Sequence, residues 1–199
     1  MDKKTKTVDS YNKSALAIAD KFDGQGARVE DIEEIFGLVK KLNPKVLEIG
    51  CGNGRDAAEI VKHTDDYLGI DISDGLIKLA REKVSEAKFE VADIEEFEFP
   101  QNLDIIIAFA SLLHVNKENF KNILERAFKA LGPGGIFYIS IKYADSYKEV
   151  EKEDQFGVRT FYLYSESDMR EIVGDFKIIK MVEEEIRNQI WMEVILEKN

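Results

Sequence analysis

Cysteine is almost missing from this sequence. Cys51 stands alone among 199 residues, which excludes an intrachain disulfide framework and points to a reducing compartment, with a cytoplasmic location as the expectation. Histidine is nearly as scarce. His63 and His114 are the only two, and their spacing, without a cysteine cluster beside either, offers no metal site. Three prolines and no low-complexity tract leave a folded globular chain as the default, and the 44% of apolar residues is ample for one core. No apolar stretch follows the basic start Met1-Asp2-Lys3-Lys4-Thr5-Lys6, so neither a secretory signal nor a membrane span is visible. Positive charge is in deficit: 28 lysines and arginines face 39 acidic residues, a net charge of −11. Such a surface repels phosphate backbones, and nucleic acid is disfavoured as a partner. The length suits a single domain spanning residues 1–199.

What is present alternates between two periods. Two helical segments fill an N-terminal cap, residues 1–44. In the first, Ala15, Leu16, Ala19 and Phe22 share a side and Gly24 and Gly26 end it. In the second, Val29, Ile32, Ile35, Phe36, Val39 and Leu42 keep helical spacing up to Asn43-Pro44. A short strand at 46–50 then leads to a helix near 54–63, a strand from Tyr67 to Asp71, and a helix capped by Ser73. Strands follow at 88–91 and 103–109, the latter apolar throughout as in a central parallel strand. Next come a helix over 117–131 capped by Asn116, the turn Gly132-Pro133-Gly134-Gly135, and a strand over 136–141. Ser165-Glu166-Ser167-Asp168 is a capping-box sequence for a helix at 166–173. Two final strands, 176–182 and 190–196, lie too close in sequence for a helical crossover and must pair antiparallel. The pattern specifies an α/β fold: a doubly wound, mostly parallel seven-stranded sheet with a C-terminal antiparallel hairpin and helices on both faces.

Chemistry concentrates where the first strand ends. Val46-Leu47-Glu48-Ile49 runs into Gly50-Cys51-Gly52-Asn53-Gly54, and about twenty residues on, Tyr67-Leu68-Gly69-Ile70-Asp71 ends in a carboxylate. Alternate glycines let a ligand approach the backbone and permit positive φ in the turn. A carboxylate at the second strand's tip can accept hydrogen bonds from both hydroxyls of a ribose. Together they can hold a nucleoside-containing cofactor across the edge of a parallel sheet.

Glu48-Ile49-Gly50-Cys51-Gly52-Asn53-Gly54 resembles the E/D-x-G-x-G-x-G loop of class I S-adenosylmethionine-dependent methyltransferases. The likeness continues through Gly69-Ile70-Asp71-Ile72-Ser73, Val91-Ala92-Asp93-Ile94, Leu131-Gly132-Pro133-Gly134-Gly135 and the terminal hairpin. It is similar in particular to the small-molecule type found in ubiquinone and menaquinone biosynthesis. The resemblance implies S-adenosylmethionine as cofactor and S-adenosylhomocysteine as product. It implies that Glu48 orients the loop and, through water, the methionine ammonium, and that Gly50, Cys51, Gly52 and Gly54 form the cofactor wall. Asp71 and Ile72 would meet the ribose, Asp93 and the Ile94 backbone the adenine, and Phe109 the methionine part. Arg55 either approaches the cofactor carboxylate or lies on the next helix.

A nicotinamide-dependent dehydrogenase is the competitor, but its G-x-G-x-x-G spacing is absent here. The D/N-P-P-Y/F motif of amino-methylating nucleic-acid enzymes is absent too; the chain reads Phe109-Ala110-Ser111-Leu112-Leu113-His114. Methyl transfer from a sulfonium needs an aligned acceptor more than a protein nucleophile. His114, following the fourth strand, is the candidate general base. Tyr11 would cover the pocket from the N-terminal cap, and residues 143–164 would form a substrate-covering insertion. There Tyr143 and Tyr162 would bind a polar group and Arg159 an anionic acceptor. The reading is a methyltransferase acting on a small-molecule acceptor. A protein or RNA methyltransferase, favoured by a basic patch around Lys142, Lys148 and Arg159, and a non-catalytic S-adenosylmethionine-binding module stay open. The acceptor atom and the oligomeric state are not specified by the sequence.

Overall fold

The structure is a computed structural model, and it describes residues 2–199; Met1, at the head of the basic start, lies outside them. Nine strands run in chain order: β1 (Val46–Ile49), β2 (Tyr67–Asp71), β3 (Lys88–Val91), β4 (Leu103–Phe109), β5 (Leu131–Lys142), β6 (Lys148–Asp154), β7 (Gly157–Leu163), β8 (Lys177–Ile186) and β9 (Gln189–Glu197). Seven form one sheet in the order β3-β2-β1-β4-β5-β9-β8, and β6 and β7 pair separately. The first five are mutually parallel, while β9 runs antiparallel to β5 and to β8. The central strand β4 is buried on both faces, as its unbroken apolar run requires.

The helices are α1 (Lys3–Lys13), α2 (Ala15–Asp23), α3 (Val29–Leu38), α4 (Ala57–Ile60), α5 (Asp74–Lys83), α6 (Lys117–Ala130) and α7 (Glu166–Ile172). One face of the sheet packs on α6 and α7 through Phe120, Leu124 and Met169. The other packs on α3, α4 and α5 through Ile32, Ile35, Ile60 and Ile77. Side chains begin the helices where their type predicts. The Ser73 hydroxyl accepts from the Leu76 N–H, Asn116 accepts from Asn119, and Ser165 and Asp168 close a reciprocal capping box. No helix among the described residues is long and apolar enough to cross a membrane.

The N-terminal cap departs from its periodicity. It holds three helices, because the chain breaks between α1 and α2 at Ser14 (φ −109°, ψ 17°). Leu16 does not share the buried side of Ala15 and Ala19 but stands 70% exposed. Helix α3 stops at Leu38, since Val39 turns extended (φ −103°, ψ 124°), and Leu42 is left fully exposed. After the glycine loop, the helix read over 54–63 shrinks to the single α-turn of α4. Tighter i to i+3 bonds, Lys62 to Glu59 and His63 to Ile60, follow it.

Strand β5 begins earlier than its apolar run. Leu131 already pairs with Leu103, and the Gly-Pro-Gly-Gly segment is accommodated before Ile136 pairs with Ile105. The β6–β7 hairpin was not foreseen from the charged stretch that forms it. Asp154 accepts from the Phe156 N–H in the turn and Gly157 supplies φ +108°. Its inner strand, β7, packs against α1.

Candidate active site

Backbone sterics build the floor. Gly50 follows β1 with φ +73°, and its N–H bonds the Ile70 carbonyl at 2.7 Å. A methyl group at this position would stand 2.2 Å from Ser111 Cβ. That approach lets the Ser111 hydroxyl donate to the Ile49 carbonyl at 2.6 Å, tying the exit of β4 to the exit of β1. Gly54 (φ +76°) serves packing: a Cβ there would press to 3.1 Å from Ala80 Cα on α5. Its close neighbour is thus α5.

Asp71 ends β2 with its carboxylate held by backbone donors. Oδ2 accepts from Gly52 N at 3.0 Å and Oδ1 from Ser73 N at 2.8 Å. Burial raises its pKa, and these N–H donors oppose the rise. A cavity opens beside it at the C-terminal ends of β1, β2 and β4. Gly50, Cys51, Gly52, Arg55, Asp71, Ile72, Asp93, Ile94, Phe109, Tyr11 and His114 all line this cavity. The Cys51 thiol is buried, and burial pushes its pKa up, so it acts as a small wall residue and not as a thiolate.

Helix α1 roofs the cavity with Lys4, Thr7, Val8 and Tyr11. Lys4 forms ion pairs with Asp93 and, at 3.1 Å, with Glu95. Under this roof the Tyr11 hydroxyl lies 2.9 Å from His114 Nε2, and His114 Nδ1 lies 2.6 Å from the Thr160 carbonyl oxygen. A carbonyl only accepts, so Nδ1 carries the proton and Nε2 accepts from Tyr11. This neutral form is the one that burial favours. Burial, followed by the charges of Arg159 and Lys142, pulls its pKa down to about 4.

Five of the residues singled out in the sequence stand off this wall, Gly54 among them. Glu48 lies behind the loop, 1% exposed, accepting from the Tyr67 hydroxyl at 2.5 Å. Burial and the neighbouring Asp56 push its pKa up. Arg159 is buried behind Tyr11, its guanidinium 5.6 Å from that ring, and pairs with Asp154 at 2.5 Å. Tyr143 turns outward to Asp145 (3.4 Å), and Tyr162 stacks on Tyr147 with ring centroids 6.0 Å apart.

Arg28 and Asn53 also line the wall and were not candidates in the sequence, unlike Arg55. Arg28 and Arg55 both bond the buried Asp56 carboxylate, Arg28 at 2.6 Å, and Arg28 lies over the Phe109 ring at 4.9 Å. Asn53 also lines the cavity; its amide nitrogen bonds Asp23 at 2.9 Å, but its buried Oδ1 has no partner among the described residues. Only Asn53, placed between two loop glycines, was within reach of a motif argument.

Comparison with known proteins places this geometry. Residues 46–135 match the family described as Methyltransferase domain. Phosphoethanolamine N-methyltransferase of Plasmodium falciparum is 32% identical over 136 residues, covering 62% of this chain and 51% of that protein. Trans-aconitate 2-methyltransferase of Variovorax paradoxus is 33% identical over 101 residues, 49% of this chain and 38% of that one. The chain thus spans about half of the length of the first of these relatives and less of the second. Magnesium protoporphyrin IX methyltransferase from Synechocystis, solved with S-adenosylmethionine bound, superposes with a TM-score of 0.77 at 17% identity, covering 100% of this chain and 98% of that one. The fold is that of the class I S-adenosylmethionine-dependent methyltransferases, and within it residues 46–135 match the methyltransferase-domain family.

Proposed function

We propose that this protein transfers a methyl group from S-adenosylmethionine to a small-molecule acceptor and releases S-adenosylhomocysteine. The observation that carries the reading is the cavity itself: the glycine loop and Asn53, the Asp71 carboxylate and the Tyr11–His114 pair all border one space. The residues fit the cofactor. Asn53 Oδ1 is a buried acceptor without a partner, as an ammonium group requires, and Arg28 and Arg55 supply cations for a carboxylate. Asp71 keeps lone pairs beyond its two backbone bonds for ribose hydroxyls. Asp93 and the backbone of Ile94 would meet the adenine edge.

Bound there, the cofactor supplies an electrophilic methyl carbon and a neutral thioether as leaving group. The protein's share is to align the acceptor, exclude water and receive a proton. Tyr11 would take the proton from the acceptor as it passes its own to His114 Nε2, the only free lone pair on that ring. Burial makes His114 a weak base, so the proton leaves while the new bond forms, when the acceptor is most acidic.

Two measurements test this reading. Calorimetric titration should give saturable binding of S-adenosylmethionine and S-adenosylhomocysteine and none of NAD; the reverse would remove it. Isotopically labelled methyl donor should label small molecules of a metabolite extract, and Tyr11→Phe should cut that labelling about tenfold or more at unchanged S-adenosylhomocysteine affinity. Equal labelling by the variant would remove the proton relay.

A further inference from the structure

A second cavity lies on the α3 side of the sheet, over β5, β8 and β9, and shares Arg28 and Arg55 with the first. Lys21, Lys142 and Lys152 meet at its wall. Lys142 ends β5 half-buried, with its ammonium 3.9 Å from the centre of the Phe161 ring. The other side of that neighbourhood is the His114 imidazole, whose ring centre is 4.8 Å from that of Phe161. In the hairpin, Lys152 sits directly opposite Arg159, a like-charged cross-strand pair that opposes folding. Arg159 is itself 8% exposed and its Nε has no hydrogen-bond partner among the described residues.

One carboxylate answers these four cations. Asp154 is bonded to Arg159 and to the Phe156 N–H, and none of the three lysines forms an ion pair among the described residues. Glu30, Asp31, Glu184 and Glu193 line the same cavity, but among the described residues none comes within ion-pair distance of these lysines, and Glu193 meets Lys180 at 3.2 Å. Burial and then the charges of Lys152, Arg159 and Lys21 hold the Lys142 ammonium down to about 8. In a chain of net charge −11, a concentration of unanswered positive charge next to a proton-transfer pair is a cost that stability alone does not explain.

We propose that Lys142, with Lys152, Lys21 and the neighbouring Arg159, forms an anion-binding subsite that holds a carboxylate or phosphate group of the methyl acceptor, across Phe161 from His114. The inference rests on the methyl-transfer reading of the first cavity and adds the acceptor's charge class to it. An anion seated there answers the uncompensated charge and fixes the acceptor's distal end while its nucleophilic end lies at Tyr11. It also raises the basicity of His114, because it offsets the positive charge of Lys142 and Arg159 that now opposes protonation.

The test uses the full chain with labelled methyl donor and a metabolite extract separated on an anion exchanger. Label is expected in the retained, anionic fraction, reduced about tenfold or more in Lys142→Gln and in the exposed-site variant Lys152→Gln. S-adenosylhomocysteine affinity should stay within about twofold, and Lys148→Gln, at the far end of β6 and outside the cavity wall, should behave as wild type. Inorganic phosphate should compete, raising the apparent KM of the labelled acceptor. Label confined to the unretained fraction, or unchanged by both lysine variants, overturns the proposal. So does stimulation by phosphate, which would make the site one for a free anion. If no acceptor is labelled, calorimetric titration with inorganic phosphate decides: saturable binding lost in Lys142→Gln supports the subsite, and binding absent or equal in the variant overturns it. Failure of wild type to bind S-adenosylhomocysteine would instead remove the methyl-transfer reading, and the phosphate titration still reports on the lysines.

Discussion

At Gly50 the protein has spent its conformational freedom on a single close approach. An alanine there would face both φ +73° and a Ser111 Cβ at 2.2 Å, with no flexible side-chain end to yield. Gly50→Ala should therefore cost about 2–4 kcal/mol in urea unfolding, the sum of a left-handed backbone penalty and overpacking. A loss below 0.5 kcal/mol would mean the loop relaxes freely. His114 gives a second residue-scale outcome. Its pKa in the folded protein lies near 4, below the ordinary 6.5. The neutral-ring contribution to stability is thus complete above pH 6.5 and is lost as pH falls toward 4. In NMR titration its ring signals should stay those of a neutral Nδ1–H tautomer from pH 8 to about pH 5; a midpoint near 6.5 would contradict the buried pair. The glycines and strand-tip acids were legible in the sequence because each acts through its own backbone position. Tyr11 and His114, 103 residues apart, were each singled out, yet their bond was not, since packing of α1 on β7 creates it. Arg28 and Asp56, neither of them a candidate in the sequence, are likewise joined only by the fold.

Among the elements, those with apolar runs or caps were read closely. Strands β2, β3 and β4 end where their hydrophobic runs end, and α5, α6 and α7 begin at Ser73, Asn116 and Ser165. Removing the last of these caps by Ser165→Ala should cost about 1 kcal/mol, because Met169 and Ile172 bind α7 to the core and its fraying reaches them. Strand β6 escaped notice because Lys148–Asp154 is nearly all charged and exposed; pairing to the buried β7, not burial of its own, holds it. Helix α3 carries a cost of its own. Burial, then repulsion from Glu193, lifts the Asp31 pKa to about 6 from an ordinary 3.8. The folded state binds that proton more tightly than the unfolded chain, so ionisation of Asp31 destabilises the fold above pH 6 and the penalty fades toward pH 4. Asp31→Asn should gain about 1 kcal/mol at pH 8, after allowance for solvent screening, and nothing at pH 4. An equal gain at both pH values would assign the effect to packing.

For the whole molecule, the sheet brings the exits of β1, β2 and β4 to one edge, and α1 closes that edge from above. The roof is held by ion pairs to the loop after β3, Lys4 to Asp93 and Glu95, and by contact with β7. Ligand binding under it should therefore stabilise the entire domain. S-adenosylhomocysteine at about one hundred times its Kd adds roughly 2.7 kcal/mol, which in a chain of this size raises Tm by about 5–10 °C. The most direct measurement is a crystal structure of the complex with S-adenosylhomocysteine. The account predicts the ribose hydroxyls on the Asp71 carboxylate, the amino-acid end beside Asn53 and Arg55, and the sulfur facing Phe109 and the Tyr11–His114 pair. A nucleoside seated instead in the second cavity over β5 and β9, with Asp71 untouched, would contradict it.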